Sequence, residues 1–335
     1  MTKKKVVMIG GGTGTFAILS GLKKYDELEL SAVVAVTDNG GSSGVLRDEF
    51  GFLPPGDLRQ CIVALSAEGN GDNMMRELFN YRFQKGGAGL EGHSFGNLFL
   101  TALTDVTGST EKALEYASKI LRIKGNVIPV SLDNIDLAIE QEDGTVTVGE
   151  TNIKDNYEKR DLNSLIKRAW LQPKAHATPK AIEVIKSADL IIIGPGGLYT
   201  SLIANLLVDG IQEAILNSNA KILYNVNLMQ DSGQTFGLSA KGHVDTITKY
   251  IGRYPDFVLT NNRELPKDIV QKYIESDDYP VENDLKNTTD YKLILEDLIT
   301  GSEEIEKKKD FGTKRSLIRH NSERIARIIV EQILK

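Results

Sequence analysis

The feature that most constrains this chain is a junction that occurs three times: an apolar run, a glycine-rich turn, then a helical pattern. Residues 5–9 read as a buried strand, and Gly10-Gly11-Gly12-Thr13-Gly14-Thr15 follow. Phe16, Ile18, Leu19 and Leu22 then mark one helical face. Residues 30–37 (LSAVVAVT) form a second strand pattern, closed by Asp38-Asn39-Gly40-Gly41-Ser42-Ser43-Gly44. Residues 190–193 form a third, closed by Gly194-Pro195-Gly196-Gly197, with a helix predicted over about 200–216. Residues 222–226 and 257–260 are further strand candidates. Strands alternating with helices predict an α/β fold: a Rossmann-like, mainly parallel sheet with helices on both faces.

Other segments fill in the organisation. Ser94, Ser109 and Thr178-Pro179 each precede apolar residues at helical spacing and read as helix caps, as does Asp72. Residues 137–150 alternate around Asp143-Gly144, which predicts a small β-hairpin insertion within about 125–165. Residues 301–316 are charge-dense and read as a solvated loop or helix surface. Ile325, Ile328, Ile329 and Ile333 predict a C-terminal docking helix within 317–335. Trp170 and the Met74-Met75 pair read as core or cover. Arg160, Arg168 and the run 3–5 read as solvated charges. At 335 residues, the chain is read as one large domain, 1–335.

Composition removes several function classes. Lys plus Arg is 40 against 46 Asp plus Glu, a net charge of −6, which argues against a nucleic-acid polymer as partner. Cys61 is the only cysteine, so no intramolecular disulfide can form. His93, His176, His243 and His320 show no zinc spacing. No run approaches the ~18 apolar residues of a membrane span. The expectation is a soluble protein of a reducing compartment.

The glycine turns carry the chemistry. Without Cβ atoms the backbone N–H groups can approach an anion, and a helix N-terminus adds partial positive charge. Thr13 and Thr15 add hydroxyls to the first turn. The spacing is neither GxGxxG, since Thr15 stands at the third glycine, nor a P-loop. Asp38 sits where dinucleotide folds face a ribose hydroxyl, or with Asn39 it forms a turn. Gly41 and Ser42 add donors, and Tyr199, Thr200 and Ser201 offer hydroxyls after Gly194 and Gly196. In a parallel sheet such turns share the carboxyl edge, where ligands bind. In Pro54-Pro55-Gly56-Asp57-Leu58-Arg59, Asp57 either caps a helix or serves a metal or a proton. Arg59 either clamps a phosphate or makes a surface ion pair. His93 and Asn97 are either ligand contacts or braces, and Asn227 lies just past a strand end. No catalytic triad is legible.

Five motifs in order, IGGGTGTFAILSGL, VTDNGGSSGVLRDEFGFLPPGDLRQCIVALS, HSFGNLFLTAL, GPGGLYTSLIANLLVDGI and NLMQDSGQTFGLSAKGHV, closely resemble the YvcK-type gluconeogenesis-factor family. That family is related to the phospholactate transferase of deazaflavin coenzyme synthesis. The resemblance implies a Rossmann-like fold, a cytoplasmic location and a regulator that binds UDP-sugars such as UDP-N-acetylglucosamine. It further implies support of gluconeogenic growth, cell shape and cell-wall synthesis. The alternative it implies is a transferase joining a phospholactyl group to a deazaflavin alcohol with Mg²⁺, the one cofactor in view. A homodimer is an expectation from base rates alone, and the sequence itself does not give the oligomeric state. By the resemblance, residues 10–14, 38–39, 56–57 and 194–201 line the cleft, and Tyr273 and Arg319-His320 reach the UDP-sugar, with Tyr279 close to Tyr273 in sequence. Gln234, Gly242 and Asn321 stand where the family usually has acidic residues, and Gln230-Asp231 replaces Thr-Gln.

Overall fold

The computed structural model describes residues 2–67, 72–154, 157, 161, 163–275, 277–300 and 317–335. Seven strands, β1 (Lys4–Gly10), β2 (Leu28–Val34), β3 (Asn126–Pro129), β7 (Leu190–Ile193), β8 (Lys221–Asn225), β9 (Phe257–Asn261) and β10 (Lys292–Glu296), form one sheet. Their order is β10-β9-β8-β7-β1-β2-β3, and every pair is parallel. Val6 lies opposite Leu30 on one side and Leu190 on the other. The side-chain period of two sends Val7, Ile9, Ile191 and Ile193 into one buried layer and Val6, Met8, Leu190 and Ile192 into the other. Both faces are covered, so these strands read in the sequence as unbroken apolar runs. This is the Rossmann-like α/β fold, with the strand order reversing between β1 and β7.

Helices cover both faces. On one side lie α1 (Gly12–Leu22), α3 (Gly56–Leu65) and the C-terminal α13 (Ser322–Ile328, continued by Ile329–Ile333). Ile18, Leu22, Ile62, Ile325 and Ile329 share its core. Gly21 lets α13 close in, since a side chain there would collide with the Ser322 carbonyl. On the other side lie α8 (Pro179–Lys186), α9 (Leu198–Ile203, continued by Ala204–Leu206), α10 (Ile211–Leu216) and α11 (Ala240–Ile251). The single helix predicted over 200–216 is thus two, divided where Gly210 takes a φ of +97°. The caps at Ser94, Ser109 and Thr178 form, each hydroxyl accepting a backbone N–H three residues on. Asn321 caps α13 by accepting from Glu323 and Arg324 N–H. An aspartate would do the same there, so that departure leaves the cap intact.

The insertion is a three-stranded antiparallel sheet, β5-β4-β6, from β4 (Asp136–Gln141), β5 (Val146–Val148) and β6 (Ile166–Gln172). The hairpin around Asp143-Gly144 forms, and the sequence had not marked β6, β3 or β10. Short α7 (Glu150–Lys154) follows β5. Arg168 is tied to Glu140 and lies 5.0 Å over the Trp170 ring, so it is a partnered charge. Met74 is exposed at 67%, which removes it from the core. The segment 301–316, Arg160 and part of the 125–165 region lie outside the described residues. Among the described residues no helix is long and apolar enough to cross a membrane.

Candidate functional site

The turns after β1 and β7 flank the switch point and touch. A side chain at Gly14 would collide with the Pro195 carbonyl, so this close approach requires glycine. Asn205, on the continuation of α9, donates its amide to the Gly10 carbonyl at 3.0 Å and locks the two turns together. Asn227 forms a reciprocal pair with Gly196, accepting from its N–H at 3.3 Å and donating to its carbonyl at 2.9 Å. Thr13 is exposed, whereas Thr15 is buried and its hydroxyl turns back to the Gly11 carbonyl.

The second turn and α3 complete the cluster. β2 ends at Val34, so Asp38 stands on the connection to α2 (Gly41–Phe50) rather than at the strand end. It forms a local turn through the Gly40 N–H at 3.0 Å. A side chain at Gly11 would collide with the Asp57 carboxylate. A Cβ at Gly56 would lie 2.8 Å from Asp38 Oδ2 and against Ser43. Asp57 lies inside the first turn of α3, whose flanking residue is Pro55, so it is not the cap. Burial first, then the Asp38 and Glu150 carboxylates, push the Asp57 carboxyl up to about 8, while Lys154 and Arg59 pull it down. Asp57 is half-buried.

Several participants were not foreseen. Thr151 donates both its N–H and its hydroxyl to Asn39 Oδ1, each at 2.9 Å, which ties α7 to the second turn. Glu150 pairs with Lys154. Burial raises the Glu150 carboxyl, and Lys154 opposes that. Burial alone would lower the Lys154 ammonium, but Glu150, with Asp57 and Asp231, outweighs it and holds Lys154 above its ordinary value. Asp231 is raised by burial, with Lys154 again opposing. Gln234 places Oε1 3.0 Å from the N–H groups of both Tyr199 and Thr200, and Nε2 2.8 Å from Asp231. Those two amides are therefore satisfied inside the protein. Ser201 is buried, and its N–H bonds the Gly197 carbonyl. The one advance signal for these residues was position: Glu150 closes the hairpin, and Gln234 replaces a family glutamate.

Arg59 is buried and faces away from solvent, donating to Asn97 at 3.0 Å and Asn80 at 2.7 Å. Burial, with Arg82 adding repulsion, lowers it to about 10. His93 Nδ1 lies 2.9 Å from Ser42 Oγ. Gly41 is exposed at the α2 start. Tyr273 and Arg319 belong to a neighbouring cluster. Tyr273, on α12 (Lys267–Ile274), packs with Leu228, Ile269, Ile299 and Ile318 and accepts the Ile318 N–H at 3.1 Å. Arg319 is exposed. His320 hydrogen-bonds the Val226 backbone beside Asn227, and burial lowers its imidazole to about 4. Tyr279 packs edge-on to Phe236 at 5.8 Å, and its carbonyl accepts the Gln230 N–H at 2.7 Å.

Comparison with known proteins identifies the family. The family model described as 2-phospho-L-lactate transferase CofD matches residues 6–299. A relative from Aquifex aeolicus is 41% identical over 336 residues, covering 99% of this chain and 97% of its own. The gluconeogenesis factor of Bacillus subtilis is 38% identical over 333 residues, covering 98% of each chain. The crystal structure of a UPF0052-family protein from Bacillus halodurans superposes with a TM-score of 0.87 at 36% identity, over 99% of this chain and 100% of that one. The chain belongs to the gluconeogenesis-factor (UPF0052/CofD) family.

Proposed function

We propose that the switch-point cleft holds a phosphorylated ligand and supports transfer of a phospholactate-type group to a deazaflavin alcohol. The observation that carries this reading is the gathering of the Asp38 and Glu150 charges around Asp57, whose carboxylate abuts Gly11 of the first glycine turn. Among the described residues no set of three metal-ligating side chains converges. Mg²⁺, however, commonly takes one or two carboxylates together with phosphate oxygens and water, and Asp38 and Asp57 supply such a pair beside Gly56. When bound, the ion would neutralise charge on the phosphate oxygens. The chain's own residues position the ligand: the 10–14 turn lets backbone N–H groups approach, and Lys154 adds a half-buried cation that the carboxylates hold charged. Incubation with a deazaflavin alcohol and an activated phospholactate donor, read by mass spectrometry with and without Mg²⁺, tests this. Unchanged masses with every donor reject it.

A second reading rests on a different observation. Gln234 already fills the N-terminus of α9, which favours a site built for binding over one built for acid–base work there. The name gluconeogenesis factor, carried by the Bacillus subtilis relative, points the same way. On this reading the cleft binds a UDP-sugar of the UDP-N-acetylglucosamine type, and the chain is a cytoplasmic regulator of gluconeogenic growth, cell shape and wall synthesis. UDP-N-acetylglucosamine then raises the melting temperature, and Arg319→Ala weakens that effect. A folded sample showing no shift at millimolar ligand rejects it.

A further inference from the structure

We propose that a buried hydrogen-bond relay, Arg59–Asn97–Ser42–His93, fixes the His93 imidazole as the Nε2–H tautomer, so that it offers a donor to an oxyanion at the second glycine turn. The ligand half of this proposal rests on the phospho-ligand reading above; the relay does not. All four side chains are buried, with exposures of 8, 3, 8 and 7% in that order.

The direction of each bond follows from donor chemistry. A guanidinium has no acceptor, so Arg59 Nε must donate to Asn97, 3.0 Å away, and the Asn97 amide must turn its oxygen toward it. That leaves Asn97 Nδ2 facing Ser42 Oγ at 3.2 Å, where it can only donate. Ser42 Oγ therefore accepts from Asn97, and since His93 Nδ1, 2.9 Å away, is the one other side-chain partner of this hydroxyl among the described residues, the Ser42 hydrogen points to it. A nitrogen that accepts this bond carries no proton, so the proton sits on Nε2. Ser94 Oγ accepts the Asn97 N–H and Asn80 holds the far side of Arg59, which keeps the relay in register. Ser42 stands on the first turn of α2, next to Gly41 and to the Ser43 that abuts Gly56. The relay thus joins α3 and α5 (Phe95–Thr107) to the cleft's second turn. Arg59, Asn97 and Ser42 are positioning residues, and His93 is the group they present.

Nitrogen-15 NMR of the imidazole in the full chain tests this. Wild type should show a protonated Nε2 and an unprotonated, hydrogen-bonded Nδ1. Asn97→Asp replaces the amide donor with an acceptor while keeping a partner for Arg59. Ser42 would then donate to Asp and accept from His93, moving the proton to Nδ1. If that variant does not fold, Ser42→Ala serves instead and should leave a mixture of tautomers. A wild-type Nδ1–H, or a tautomer indifferent to both substitutions, overturns the relay. Inorganic pyrophosphate should shift the wild-type Nε2–H signal and bind Asn97→Asp about tenfold more weakly. Glycine-turn amides that respond while His93 stays silent overturn the donor role. If neither responds, the phospho-ligand reading falls and the tautomer result still decides the relay.

Discussion

Asp57 shows how one side chain can set a pH profile. Its folded-state value, near 8, lies above the ordinary carboxylate range. Between about pH 4 and 8 the folded chain therefore holds a proton that the unfolded chain releases, and stability falls as pH rises through that window. Asp57→Asn should flatten the fall, leaving the variant more stable than wild type by on the order of 1–3 kcal/mol at pH 9 and little changed at pH 5. Thermal melts across that range check it, and parallel profiles would reject the assignment. His320 acts oppositely. Its lowered value, about 4, means that stability is lost as pH falls from about 6.5 toward 4. Gln234 gives a further residue-scale case. Gln234→Glu removes the donor to Asp231 and sets two carboxylates face to face. The variant should melt lower at pH 8, by about 1–3 kcal/mol, and recover much of that at pH 5, where one carboxyl can protonate. Equal losses at both values would show that charge is not the cause.

At the scale of elements, one side-chain amide ties α7 to the second glycine turn. Asn39 Oδ1 accepts both donors of Thr151, and a side chain at Gly233 would strike the Ile153 carbonyl, so α7 is held between the 38–43 turn and the 231–236 turn. Asn39→Ala should free α7 locally and speed amide hydrogen exchange across residues 149–154 by about tenfold, with the sheet strands unaffected. Unaltered exchange there would mean that packing alone holds the helix. The same elements show what could be read in advance. Residues 5–9 and 190–193 announce themselves because burial on both faces leaves no polar position. β6, carrying Lys167 and Arg168 on an exposed face, has no such run, and its identity comes only from pairing with β4. The hairpin was legible from Asp143-Gly144. That its continuation would reach Asn39, 112 residues earlier, was not, because no local pattern encodes a long-range hydrogen bond.

Across the whole molecule, the site exists because the strand order reverses between β1 and β7, bringing turns separated by some 180 residues of sequence into contact. The glycine turns were legible because missing side chains leave a mark in the sequence. Lys154, Glu150 and Asp231 were not, since an ionisable residue in a string gives no hint of which other charges the fold brings beside it. Contact between Gly14 and Pro195 makes the reversal testable. Gly14→Ala puts a methyl group against a carbonyl on the other turn, where backbone rather than a flexible side chain must move. It should cost about 2–4 kcal/mol, whereas Gly89→Ala, with open space around it, should cost under about 1. If the two turns form one ligand cradle, the Gly14 variant should also lose most of the stabilisation that millimolar UDP-N-acetylglucosamine or pyrophosphate gives the wild type, and the Gly89 variant should keep it. A destabilised Gly14 variant that retains the full ligand-induced shift would separate the packing role of this contact from binding, and would place the ligand elsewhere on the carboxyl edge.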